Sequence, residues 1–148
     1  MIVCFWTGGT DGIAIPSIER AQNPPVYYGT LEIKKTAQGL LIINELSLEA
    51  YLEAVVPSEM PASYEEQALM AQAVCARTYA VCQIQENSLE KYGADVDDSV
   101  NYQVYNNFGA DKRTNKAVQD TKGQILCQKW RTDHGLLFFY ISRQDKHR

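Results

Sequence analysis

"INELSLEAYLEAVVPSEMPASYEEQALMAQAVCARTYAV", residues 43–81, decides the fold. Ser47 has the chemistry of a helix N-cap, and Leu48, Leu52 and Val55 follow on one helical face, with Tyr51 and Val56 beside them. Proline fixes its own φ and biases the residue before it toward extended backbone. Pro57 is therefore expected to end this first helix, and Val56 and Met60, each preceding a proline, to be extended. Ser63 and Glu66 have capping-box spacing, which predicts a second helix starting at Ser63 and running through Gln85. Ala68, Leu69, Ala73, Ala76, Ala80 and Ile84 give that helix a small-residue face for close packing, and Asn87 and Ser88 are stop signals. Between the helices, Pro57 and Pro61 form a stiff elbow around one charged side chain, Glu59.

Upstream, "TLEIK" alternates apolar and polar residues, "KTAQG" supplies a turn with Gly39, and "GLLIINEL" is a second strand. "VYYG" is expected to extend the same sheet. Downstream, "YGADVDDSVNYQVYNN" reads as a long loop with a short strand at "YQVY". "TNKAVQDTKGQILC" reads as a short helix, a turn at Gly123 and a strand "QILCQ". There is no internal repeat and no linker. The pattern predicts a single α+β domain with antiparallel strands and two packed helices.

The chain has 148 residues and a net charge of −4, enough length for one real core. A mildly acidic chain has no long-range attraction to nucleic acid or an anionic membrane. The apolar runs "LLII" and "GLLFFYI" are far shorter than a membrane span of about 20 residues. "MIVCFWTGGTDGIAIP" lacks the basic start of a signal peptide and is interrupted by Asp11. That is consistent with a cytoplasmic protein or with one segment of a longer, exported chain. Cys75 and Cys82 lie two helical turns apart, about 10 Å, too far for a disulfide.

His134 and His147, the only histidines, sit near the end of the chain, and no His/Cys group has metal-ligand spacing. No phosphate-binding glycine motif occurs. Carboxylates, tyrosines and Arg77 remain. Glu59, on its stiff support, is an aimed general acid, a cap of the second helix or a solvated turn residue. Arg77, among small and apolar residues, needs a partner: Glu59, Asp97 or Asp98. An ion pair fixing loop to helix competes there with substrate contact.

Residues 43–81, with V-V-P-S-E-M-P followed by A-Q-A-V-x-A-R-T-Y-A, resemble the signature of the stage II sporulation protein D (SpoIID) family. "YYGTLEIKKTAQGLLIINELS", "DDSVNYQVYNN" and "AVQDTKGQIL" resemble its neighbouring elements, so the likeness covers residues 27–128. The resemblance implies a lytic transglycosylase that cuts peptidoglycan glycan strands already stripped of stem peptides, during endospore formation. It implies an extracytoplasmic setting in the cell wall or engulfing septum, beside a partner amidase and membrane-anchored engulfment proteins. It makes Glu59 the catalytic acid and implies no cofactor. The chemistry asks Glu59 to be protonated near neutral pH, and hence half-buried against apolar groups such as Met60. Ser58, Met60, Arg77, Tyr79, Asp98, Gln103 and Tyr105 are implied as substrate-binding or supporting residues, with Tyr79, Gln103 and Tyr105 equally readable as packing residues and Arg77 not paired tightly with Glu59. Some members carry a Cys/His zinc site in the loop matching "GADVDDSVNYQVY"; here that loop has neither residue, so no metal is implied.

The resemblance stops after Gln128. The family continues to a Y-x-x-S-x-S-x-G-x-T segment lining the cleft, whereas this chain ends "KWRTDHGLLFFYISRQDKHR". Reverse-translated and read one nucleotide later, those residues can spell "NGEPITAYYFSTSHGRTNTD", which contains the absent segment. The expectation is a SpoIID-like domain over 1–128, a frameshifted non-family tail over 129–148, and the C-terminal part of the family fold missing. The rival reading is a catalytically dead glycan-binding or scaffold remnant.

Overall fold

The computed structural model describes residues 3–7, 12–20, 24–98, 101–107 and 111–127. The tail, both histidines and Asp11 lie outside them, so the frameshift expectation falls there too. In chain order the elements are β1 (Val3–Thr7), β2 (Ile13–Ala14), β3 (Val26–Tyr27), β4 (Thr30–Lys35), β5 (Leu40–Glu45), α1 (Leu48–Glu59), α2 (Glu66–Glu86), a 3-10 turn at Glu90–Tyr92, and α3 (Lys112–Asp120). The class is α+β, with antiparallel sheets of three strands (β1-β4-β5) and two strands (β2-β3).

The β4–β5 hairpin is the one its alternation predicts, with Ile33 opposite Ile42 and Leu31 opposite Asn44. Thr36 N–H closes the turn on the Gly39 carbonyl at 2.7 Å, and Gly39 takes φ 141°, a value open to glycine. β1 pairs along the other edge of β4, a strand that the sequence pattern of "MIVCFWTGGTDGIAIP" does not predict. "VYYG" does not join this sheet. Its Val26–Tyr27 pairs with β2 in the smaller one.

Ser47 caps α1, its hydroxyl accepting from the Ala50 N–H at 3.3 Å. Pro57 does not end that helix; α1 runs through it to Glu59. Leu52, Val55 and Val56 are fully buried against Ala73, Ala76 and Val118, and this packing outweighs the local bias of Val56. The ladder resumes past the proline, where Met60 N–H donates to the Val56 carbonyl at 3.0 Å. Met60 itself is extended (φ −140°, ψ 126°), as a residue before proline should be.

α2 begins at Glu66, with Glu65 in the cap position and no side-chain cap, so the Ser63 capping box does not form. Residues 61–64 instead make a turn, Tyr64 N–H to Pro61 O at 3.1 Å. The Arg113 guanidinium holds that turn by donating to the Ala62 and Tyr64 carbonyls at 2.6 and 2.8 Å. Leu69, Ala73, Ala76 and Ala80 are buried as the small-residue face requires, but Ile84 at its end is exposed. Asn87 stops α2 in the left-handed region at φ 51°. α3 adds a third helix against α1 and α2, and the core lies among the three.

Neither "YQVY" nor the described part of "QILCQ" is a strand. Backbone N–H groups in them and just beyond bond to side chains: Val104 to Glu59, the following Asn106 to Ser58, and Leu126 to Thr78. Satisfied in this way, the segments need no neighbouring strand.

Candidate active site

Glu59 is the last residue of α1 and is exposed. The half-burial expected of it is not found. A helix C-terminus carries partial negative charge and gives a carboxylate no support. Support comes from the Val104 N–H, which donates to Glu59 Oε1 at 2.8 Å. Next to it, the Ser58 hydroxyl donates to the Ala54 carbonyl at 2.8 Å and accepts from the Asn106 N–H at 3.1 Å. Ser58 therefore ties the 101–107 segment to the end of α1.

That segment is held at a further point. Asn107, buried and at φ 53°, uses its side-chain amide like a strand neighbour. Its Oδ1 accepts from Val26 N–H at 2.8 Å and its Nδ2 donates to Val26 O at 2.9 Å. The β3 backbone, the loop and the tip of α1 thus become one unit.

Tyrosines fill the space between. Tyr105 lies between Tyr27 and Tyr51, with ring centroids 6.4 and 6.0 Å away. The Tyr51 hydroxyl donates to Gln103 Oε1 at 3.2 Å. Burial pushes the Tyr105 hydroxyl up to about 12, helped by Tyr27 and Tyr28. Burial also raises Tyr51, with Tyr79, Tyr105 and Glu59 adding to the effect. Both hydroxyls keep their protons at neutral pH, and that of Tyr51 is the donor to Gln103. Tyr79 is raised chiefly by burial, then by Tyr102, Glu86, Asp97 and Cys82.

Arg77 is placed elsewhere. It is 1% exposed, and its partner is none of the three expected carboxylates. Nε and Nη2 grip both oxygens of Glu49 at 3.0 and 2.8 Å. Nη2 also donates to the Val118 carbonyl at 3.1 Å and Nη1 to the Gln124 carbonyl at 3.2 Å. One guanidinium therefore binds α1, the end of α3 and the 124–127 segment to α2, and its hydrogen bonds hold the Glu49 carboxyl below the usual carboxylate range. Glu49 was hidden to sequence reasoning because its spacing to Arg77 has no local period. Asp98 pairs with Arg20, a long-range link whose Asp98 end is exposed.

Of the expected residues, Ser58, Glu59, Gln103 and Tyr105 come together; Met60 caps α1 beside them, while Arg77 and Asp98 have partners of their own. Tyr51, Val104 and Asn107 were missed as site residues. Tyr51 looked like a core-face residue and Val104 acts through its backbone. Asn107, a residue type that tolerates positive φ, was the one with a readable signal. Among the described residues no group of His, Cys, Asp and Glu is gathered as for a metal ion, and no helix is long and apolar enough to cross a membrane.

The family model described as stage II sporulation protein, SpoIID, matches residues 36–127, which include Tyr51, Ser58, Glu59, Gln103, Val104, Tyr105 and Asn107. An uncharacterized protein of Brachyspira hyodysenteriae is 38% identical over 122 residues, covering 80% of this chain and 30% of the relative. The amidase enhancer of Bacillus subtilis is 45% identical over 75 residues, covering 51% of this chain and 10% of the relative. Stage II sporulation protein D of Bacillus amyloliquefaciens is 37% identical over 98 residues, covering 57% and 28%. The chain thus spans a third or less of the length of these relatives. No solved structure matches. With a family model matching well over half of its length, this chain belongs to the SpoIID family of stage II sporulation proteins.

Proposed function

We propose that this domain is a lytic transglycosylase fold acting on peptidoglycan glycan strands stripped of stem peptides, with Glu59 as its single acid and base. The observation that carries the reading is an exposed carboxylate, anchored through one oxygen to a backbone N–H, at the centre of the family signature. Glycosidases that use water or a covalent intermediate need two carboxylates. A transglycosylase that closes a ring within its substrate manages with one. Glu59 gives its proton to the glycosidic oxygen between N-acetylmuramic acid and N-acetylglucosamine as the C1–O bond breaks. The carboxylate then takes the proton of the muramoyl 6-hydroxyl, whose oxygen bonds to C1. The products are a free N-acetylglucosamine end and a 1,6-anhydro end, and Glu59 is again protonated. Exposure gives the acid access to a polymer, and the Val104 anchor gives it aim; the burial that its role as an acid requires is then supplied by the bound glycan covering it.

The partners that accompany this reading are a stripping amidase and engulfment proteins, in an extracytoplasmic setting. Resemblance to a protein named amidase enhancer supports the first. A second reading, a glycan-binding remnant without activity, is favoured by the tail, where residues 129–148 match no family segment. One experiment separates the two. A version carrying "NGEPITAYYFSTSHGRTNTD" and the rest of that frame after Gln128 is compared with the chain as it stands and with the same version bearing Glu59→Gln. The restored version should be more soluble and should release anhydro ends from denuded strands. Glu59→Gln should cut that rate by roughly 10²-fold or more, the scale of a lost general acid. Equal activity of the unrestored chain refutes the frameshift, and undiminished activity of Glu59→Gln refutes the acid.

A further inference from the structure

The Val104 amide lies between two residues that both rest on Tyr51. On one side Gln103, buried, accepts the Tyr51 hydroxyl at 3.2 Å. On the other, Tyr105 stacks on the Tyr51 ring at 6.0 Å with an 18° tilt. Tyr51 belongs to the same helix as Glu59, roughly two turns earlier. One rigid element therefore carries both the carboxylate and the residue that docks the donor facing it.

The donor has a chemical consequence. A backbone N–H can only donate. In the neutral acid the oxygen receiving it is the carbonyl oxygen, so the proton is carried by the other one. With Val104 N–H on Oε1, the transferable proton belongs to Oε2. When the proton leaves, the same N–H remains as a stronger, charge-assisted bond to the carboxylate. Glu59 can switch between acid and base without turning.

We infer that Tyr51 is a positioning residue for Glu59: through Gln103 and Tyr105 it sets the Val104 amide against Oε1 and so assigns the exchanging proton to Oε2. This rests on the reading of Glu59 as the acid, but its geometry is testable without turnover.

The test follows the Val104 amide proton by NMR across the ionisation of Glu59 in the full chain. The amide resonance moves with pH because it donates to the titrating carboxylate, and Glu59→Gln, which removes that movement, sets the zero. Tyr51→Phe keeps the ring and deletes the hydroxyl. Gln103→Met breaks the same bond from the other side and serves as the second probe should Tyr51→Phe not fold. Each is expected to shrink the pH-dependent movement by about twofold or more, since hydrogen bonds weaken steeply with misalignment. A merely structural Tyr51 would lower the melting temperature and leave the movement at its wild-type size, and that result overturns the proposal. Failure of the acid reading shows separately, as continued cleavage by the frame-restored Glu59→Gln protein.

Discussion

Glu49 and Glu59 stand on one helix, in its first turn and at its last residue, and their surroundings are opposite. Both Glu49 oxygens are taken by a guanidinium that is 1% exposed. Glu59 is exposed and anchored by a single backbone N–H. A carboxylate gripped on both oxygens by a buried cation cannot exchange protons without breaking the packing around it. One held by a single neutral donor can. Identity of residue and helix thus says little about role; what each end of α1 meets decides it.

The largest effect expected from breaking this contrast is at the buried end. Arg77→Ala leaves Glu49 without its cation, removes the Gln124 carbonyl's guanidinium donor and leaves the Val118 carbonyl only the Thr121 hydroxyl at 3.3 Å. It should lower unfolding stability by about 3–5 kcal/mol in urea or thermal melts. Glu59→Gln should stay within about 0.5 kcal/mol of wild type, as an exposed surface change does. Unchanged melting of Arg77→Ala with lost glycan binding would make Arg77 a substrate ligand and erase the contrast.

A smaller effect is expected where the loop meets β3. Asn107→Ala removes both bonds to Val26 and should cost about 1–3 kcal/mol. The same variant should speed hydrogen exchange at Val104 and Asn106, since their segment loses one of its anchors. Unaltered exchange there would show that Ser58 and Tyr51 hold the loop unaided.

The gentlest test uses pH. The Glu49 pKa is lowered in the folded state by Arg77, so the unfolded chain binds the proton more readily. The stability from the pair is complete above the ordinary carboxylate range and is lost as pH falls from that range through the lowered folded value. Arg77→Ala should flatten that acid limb of a stability profile. An acid limb of wild-type slope in Arg77→Ala would place the effect on other carboxylates.

What could be read in advance followed from local rules. The β4–β5 alternation, the Ser47 cap, the small-residue face of α2 and the left-handed stop at Asn87 depend on neighbours within a few residues. Pro57 defeated such a rule, because Leu52, Val55 and Val56 are buried on the same turns and their packing outweighs one residue's backbone bias. The Ser63 cap failed for a comparable reason: Arg113, some fifty positions away, claims the turn. "YQVY" has strand composition, yet its Val104 N–H and the Asn106 N–H just after it found side chains of α1.

By itself, then, the sequence determined the class of fold and the family and singled out Glu59 as the candidate acid, since each reading rests on contiguous residues whose chemistry acts at short range. Only the tertiary structure decided that Arg77 belongs to Glu49, that Val104 faces Glu59, and that Tyr51 sits behind both neighbours of Val104. Those pairings join residues dozens of positions apart. They exist because polar groups and rings find partners wherever the packed helices bring them, and that leaves no period in the chain.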